Sequence, residues 1–133
     1  MALQYSVAVN NARLDAVETT AGTSAKLRFY TGAMPANCAA ARTGTLLVEM
    51  ALPSDWMSAA SAGSKGKLGT WSGTAVAGSA ATPGYACIMD SAGTTCHLQG
   101  TSGIASGDIP VDGTITTGQA VTVSSFTLNA ANT

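Results

Sequence analysis

The chain has 133 residues, enough for one domain, and six Lys and Arg stand against seven Asp and Glu for a net charge of −1. Six scattered cations exclude the basic surface that phosphate recognition requires, and the closest pairs, Lys26/Arg28 and Lys65/Lys67, lack an aromatic stacking platform around them. No run approaches the ~18 apolar residues of a membrane span, so neither nucleic acid nor membrane is expected as a partner.

Ala, Gly, Ser and Thr supply 71 residues, whereas Val, Leu, Ile and Phe supply 23. Disorder would need a high net charge as well as few large apolar residues, and the charge is missing. An Ala-rich chain of this size buries little apolar area by itself, at about 25 cal/mol per Å². Its weakly charged surface also resists self-association poorly. Both features predict a protein completed by neighbouring subunits.

The N-terminus lacks the basic start and uninterrupted apolar run of a secretory signal, because Asn10 and Asn11 break it. Synthesis in a cytoplasm is expected. The three cysteines, Cys38, Cys87 and Cys96, are odd in number and form no C-x-x-C. Neither a disulfide framework nor a zinc site is indicated.

Residues 3–21 read as a helix. Leu3, Val7, Leu14, Val17 and Ala21 recur at alternating steps of three and four, with Asn10 in the polar slot between Val7 and Leu14. Ser6 suits an N-cap and Gly22 a C-cap. If Ser6 is the cap, Leu3–Tyr5 is an extended arm.

From residue 24 the period changes to two. Residues 25–31 alternate Leu27 and Phe29 with Lys26, Arg28 and Tyr30, a half-buried strand. Residues 32–43 contain a proline and read as a loop. Residues 45–52 form a strand, with Leu46, Val48, Met50 and Leu52 expected on one face and Leu47, Glu49 and Ala51 on the other, ended by Pro53. Residues 54–66 read as a loop carrying Trp56 and Met57, and residues 68–77 as a weak strand.

The clearest hairpin spans residues 84–98, around Ser91-Ala92-Gly93 with Gly93 at a positive φ. Its simplest register opposes Ile88 to Cys96 and Cys87 to His97, which puts Cys87 and Cys96 on opposite faces. Residues 109–111 and 114–116 are short strand candidates. In the last strand, residues 119–128, the parity of Val121/Val123 differs from that of Phe126/Leu128, so a bulge near Ser124-Ser125 is expected.

One helix and seven or eight short strands predict a mainly β fold: a jelly-roll-like antiparallel β-sandwich with an N-terminal α-helix. The division is an arm and helix over residues 1–23 and a single sandwich domain over 24–133.

The residues offer little chemistry. His97 is the single histidine, and a nucleophilic constellation would have to use it, with Cys87 its expected neighbour. One histidine cannot make a multi-His zinc site. Asp15 and Glu18 lie on the polar side of the helix, and Asp108 and Asp112 suit turns better than a calcium cage. Catalytic residues, metals and cofactors are not expected. Trp56 beside Met57 suggests an interface anchor, Trp71 a core residue; exposed, either could stack on a sugar.

The stretch LQYSVAVNNARLDAVETTAGTSAKLRFYTGAMPANCAAARTGTLL, the segment LPSDWM, the hairpin DSAGTTCHLQG and the closing GQAVTVSSFTL together resemble a family of small tailed-bacteriophage virion proteins. The resemblance covers most of the chain. In size and inferred architecture the chain is similar to capsid cement (decoration) proteins within that group. These are jelly-roll-like subunits that clamp neighbouring major capsid proteins on an icosahedral head. The resemblance implies a non-enzymatic virion structural protein on the capsid surface. Its partners would be the major capsid protein and further copies of itself, as a dimer or trimer. A tail-tube or head–tail connector subunit, and a carbohydrate-binding jelly-roll module, are the alternatives. Leu3, Tyr5, Val7, Leu14, Val17, Trp56 and Met57 are the expected interface residues.

Overall fold

A computed structural model describes residues 3–130. A single helix, α1 (Val7–Ala21), precedes nine short strands. Ser6 is extended (φ −65°, ψ 159°) and its hydroxyl accepts a hydrogen bond from the Val9 amide, 3.2 Å away. Gly22 ends the helix at φ +88°, where its amide donates to the Glu18 carbonyl. Both caps therefore sit at the residues whose chemistry suits them, and residues 3–5 form an arm before the cap.

The largest sheet has the order β2 (Leu46–Ala51), β1 (Lys26–Tyr30), β5 (Tyr85–Met89), β6 (Cys96–Gly103), β7 (Ser106–Gly107), with every described pairing antiparallel. Two ribbons accompany it: β3 (Ser64–Gly66) with β9 (Thr127–Asn129), and β4 (Trp71–Thr74) with β8 (Ala120–Val123). A bridge between Val48 and Ala75 joins the second ribbon to the sheet's β2 edge. The fold is mainly β and antiparallel with one N-terminal helix, as the periodicities predict.

The sheet and both ribbons share one core. Leu27, Phe29, Val48, Met50, Ile88, Trp56, Trp71, Val121, Val123 and Phe126 are all buried in it. Its centre is aromatic: the Trp56 and Trp71 rings lie 6.0 Å apart, and Trp71 lies 5.5 Å from Phe126. Both indole N–H groups are satisfied, Trp56 by the Gly22 carbonyl at 2.9 Å and Trp71 by the Leu68 carbonyl at 3.1 Å. Trp71 is thus the core residue expected. Trp56 and Met57 are corrected, because both are enclosed in the chain's own interior and no surface is left for a partner to grip. The local pattern after Pro53 is loop-like, but two large apolar side chains in a chain short of them are drawn into the core.

Two registers differ from the simplest expectation. Between β1 and β2 the pairing slips between Phe29 and Tyr30, so that Tyr30 faces Leu46 while Phe29 faces Val48. Leu47 is the extra residue and joins the main core, and Leu46 turns to the opposite face. In the β5–β6 hairpin the turn is longer than three residues, since Asp90 and Thr95 are hydrogen-bonded across it and Gly93 takes φ +72°. A second slip then pairs Met89 with Cys96 and Ile88 with Leu98, leaving His97 as the bulged residue. Cys87 therefore faces Gln99, not His97, and Cys96 lies on the same face as Cys87.

The last strand is interrupted, not merely bulged. The chain leaves β4 after Val123 and rejoins β3 at Thr127. This switch of partner absorbs the parity change and still directs Val121, Val123, Phe126 and Leu128 to the core. Residues 109–116 contribute isolated bridges at Val111 and Ile115 rather than strands, with both side chains buried.

The loop after β1 passes so close to the start of β5 that a Cβ on Gly84 would land on the Gly32 carbonyl. Both partners are backbone and cannot rotate away. Gly84→Ala is expected to destabilise the fold by about 2 kcal/mol or more. Gly113→Ala, at a site with no heavy atom within 4 Å, is expected to change stability by less than about 0.5 kcal/mol. Urea denaturation of the two variants compares them directly.

Candidate interface

The helix is attached to the β body along its C-terminal two-thirds. The Asn11 carboxamide accepts from the Gly63 amide (3.0 Å), Asp15 from the Ala60 amide (3.0 Å), and Glu18 from the Met57 amide (3.2 Å). At the centre of this seam the Lys65 side chain, only 2% exposed, donates from its ammonium to Asp15 Oδ1 and lies against Glu18 Oε2, each at 2.8 Å, and donates to the Ser58 carbonyl at 2.8 Å. A buried ammonium is tolerated only with this degree of satisfaction. Asp15 and Glu18, read from sequence as solvated charges, are the groups that clamp it.

The predicted apolar stripe is therefore divided by the structure. Leu14 and Ala21 are buried against the body, Val17 is half-buried, and Asn10 fills its polar slot inside the seam, completely enclosed. Its Oδ1 accepts from Arg13 at 3.2 Å, while its Nδ2 has no partner. Leu14 is corrected as an interface residue, because this chain's own body already covers it. The N-terminal part of the stripe behaves otherwise. Leu3 is 70% exposed, Val7 52%, Val9 43% and Tyr5 38%. Val7, Ala8 and Val9 are all exposed, although Asn10 in the same turn is enclosed. The Arg13 guanidinium lies 4.7 Å above the Tyr5 ring and ties the arm to the helix.

Leu3, Tyr5, Val7 and Val9 are thus exposed apolar side chains gathered at the N-terminal end of the chain, ahead of the seam that fixes the helix. Three of the four were predicted interface residues. Val9 was missed, because it lies off the heptad stripe; it is exposed together with Val7 and Ala8.

The sheet's outer face carries a second grouping that spacing could not reveal. The loop between β1 and β2 folds over it. The Tyr85 hydroxyl donates to the Thr43 carbonyl (2.6 Å) and accepts from the Thr43 amide (3.0 Å), and Gln99 donates to the Pro35 carbonyl (2.9 Å). Tyr30 stacks on Tyr85 with centroids 5.1 Å apart. Arg42 reaches from the loop to β6, donating to Gln99 Oε1 (2.7 Å) and to Cys96 Sγ (3.7 Å), and curls back onto the Asn37, Cys38 and Ala40 carbonyls.

All three cysteines meet here. Cys87 is buried and donates to Met89 Sδ at 3.6 Å, while Cys38 and Cys96 are half-buried. Burial pushes the Cys87 thiol up. Burial, with the hydrogen-bonding Cys38 thiol beside it, pushes Cys96 up to about 12. With His97 displaced into the bulge, the Cys87–His97 neighbourhood suggested by the simple register does not exist.

Asp108 accepts from the Thr101 amide and hydroxyl across the β6–β7 pair, and Asp112 accepts from the Ser124 hydroxyl twelve residues away. Trp56 and Trp71 are fully enclosed, which removes the stacking platform that a carbohydrate-binding reading needs. Among the described residues, no helix is long and apolar enough to cross a membrane. No protein-family model, curated protein or solved structure matches the chain.

The Lys65 seam predicts a pH dependence. Burial alone would push the Lys65 pKa down, but its hydrogen bonds with Asp15 and Glu18 outweigh that and hold it above the ordinary value. A raised folded value stabilises fully below the unfolded lysine pKa of about 10.4, and this contribution is lost as pH climbs through the folded value. Asp15 is lowered by the Lys65 and Ala60 hydrogen bonds, and Asp90 by the Thr94 and Thr95 amides. Their contributions are present above the ordinary aspartate pKa of about 3.9 and are lost as pH falls through the folded values. Asp55, raised by its hydrogen bond to Glu18, acts in the opposite sense and blunts the acid limb. The raised Cys87 and Cys96 thiols act in the same sense as Lys65 from the ordinary thiol pKa of about 8.5 upward, so urea midpoints followed against pH are expected to hold a plateau from about pH 5 to 8 and to fall at both ends. Lys65→Met is expected to lessen the fall above about pH 10 and, by removing the hydrogen bond that lowers Asp15, to shrink the acid limb as well.

Proposed function

We propose that the chain is a non-enzymatic virion structural protein, a capsid cement protein that binds neighbouring major capsid proteins and acts as a homo-oligomer on the head surface. The observation that carries this reading is the exposure of the apolar side chains Leu3, Tyr5, Val7 and Val9 on the arm and the start of a helix whose other end is fixed by Lys65 and Trp56. A clamp needs a rigid body and a projecting element that reaches across a seam between subunits. Here the body is a cross-braced β core, and the projecting element is the arm with the first helical turn. The resemblance of the N-terminal stretch, LPSDWM, DSAGTTCHLQG and GQAVTVSSFTL to small phage virion proteins supplies the partner. On a lattice with many equivalent sites a small patch suffices, because avidity multiplies weak single contacts.

The reading is tested by sedimenting the purified chain with undecorated capsids assembled from the major capsid protein of the same phage. Stoichiometric co-sedimentation is expected. The double variant Leu3→Asp/Val7→Asp is expected to bind at least about tenfold more weakly, because charge is driven into an apolar contact. Its urea midpoint should be unchanged, since both side chains are exposed. Failure of the parent chain to bind capsids overturns the cement reading, and its incorporation into tails or connector rings would replace it with the tail or connector role.

A further inference from the structure

We propose that Cys38 and Cys96 are a redox pair that closes into an intramolecular disulfide, stapling the loop between β1 and β2 to the start of β6. This inference is independent of the capsid role.

Arg42 is the organising group. One of its terminal nitrogens donates to the Cys38 carbonyl at 3.2 Å, and the other reaches Cys96 Sγ at 3.7 Å and Gln99 Oε1 at 2.7 Å. The same guanidinium therefore holds the backbone of one cysteine and the sulfur of the other. The loop's turn is itself fixed, because the Asn37 carboxamide accepts from the Ala40 amide at 2.9 Å. Tyr85 and Gln99 pin the loop on either side of Cys38 in sequence, at Thr43 and Pro35. A pair held in this way meets less of the loop-closing cost than two cysteines on independent segments.

The third thiol is excluded by position. Cys96 pairs with Met89, two residues along the strand from Cys87. A diagonal cross-strand neighbour lies about 7–8 Å away between Cα atoms, beyond the usual span of a disulfide. Cys87 is also enclosed, with its thiol against Met89 Sδ.

The chemistry is exchange with a low-molecular-weight disulfide such as glutathione disulfide. The half-exposed Cys38 loses its proton and attacks one sulfur of the oxidant, forming a mixed disulfide and releasing one thiol. Cys96 then gives up its proton and attacks the Cys38 sulfur, forming the internal bond and releasing the second thiol. Two protein thiols are oxidised, and one oxidant disulfide is reduced to two thiols. Arg42 faces the developing Cys96 thiolate in the second step. The raised pKa of Cys96 keeps its thiolate fraction low in that step.

The test is titration of the purified full-length chain with glutathione and glutathione disulfide, read by intact mass, thiol count and non-reducing digestion. A monomeric product about 2 Da lighter is expected, with one of the three thiols remaining. Cys87→Ala should form it unchanged, whereas Cys38→Ala and Cys96→Ala should not. The oxidised chain should melt several degrees higher than the reduced one. Differential alkylation of the parent chain assigns the remaining thiol without relying on any variant. Absence of the lighter monomer under oxidising buffer, an intermolecular dimer in its place, or a bond that includes Cys87 would each overturn the proposal.

Discussion

The structure turns on the burial of Trp56. A chain with only 23 Val, Leu, Ile and Phe residues in 133 cannot build a core from aliphatic side chains alone. Trp56, Trp71 and Phe126 add an aromatic centre of tilted rings, each burying far more area than an alanine can. The Trp56 indole also donates to the carbonyl of Gly22, the residue that ends the helix. One side chain thus centres the core and fixes where the helix leaves it, and for that reason it cannot also be a surface anchor.

The helix inherits two different roles from this attachment. Its C-terminal part is locked by Trp56 at Gly22, by Glu18 on the Met57 amide and by the Lys65 ammonium between Asp15 and Glu18. Its start and the preceding arm leave Leu3, Val7 and Val9 exposed. Rigid support behind exposed apolar side chains lowers the ordering cost of binding, because the contact residues are largely placed beforehand.

The sheet is covered on both faces by different means. The inner face meets the ribbons through the aromatic core. The outer face, where Tyr30, Tyr85, Cys87 and Met89 cluster, is closed by a loop whose backbone groups are satisfied by Tyr85, Gln99 and Arg42. Such a cover holds by hydrogen bonds more than by apolar area, so a covalent tie between loop and sheet would change its stability more than that of the core.

Much of the architecture followed from local pattern. The change from a three-four period to a period of two after residue 24 marks the helix and β1. Ser6 and Gly22 mark the helix ends by their capping chemistry, and Gly93 marks the hairpin turn by its positive φ. The exposed part of the stripe, Leu3 and Val7, was also named from spacing. The spacing could not divide that stripe, because whether Leu14 meets solvent depends on where the 57–65 segment lies, and that segment is held by contacts some 40 to 50 residues away in sequence. The slips at Leu47 and His97 were equally illegible, since a one-residue shift leaves the composition unchanged yet moves a side chain to the other face. Local periodicity and capping chemistry determined the helix and the longer strands, and composition the weakly charged surface, but the short β3 inside the 54–66 segment read as a loop and the short β7 were not legible. Only the tertiary structure decided that Trp56 and Met57 lie inside, that Lys65 is buried between carboxylates, and that three widely spaced cysteines share one face, because each depends on long-range packing and register.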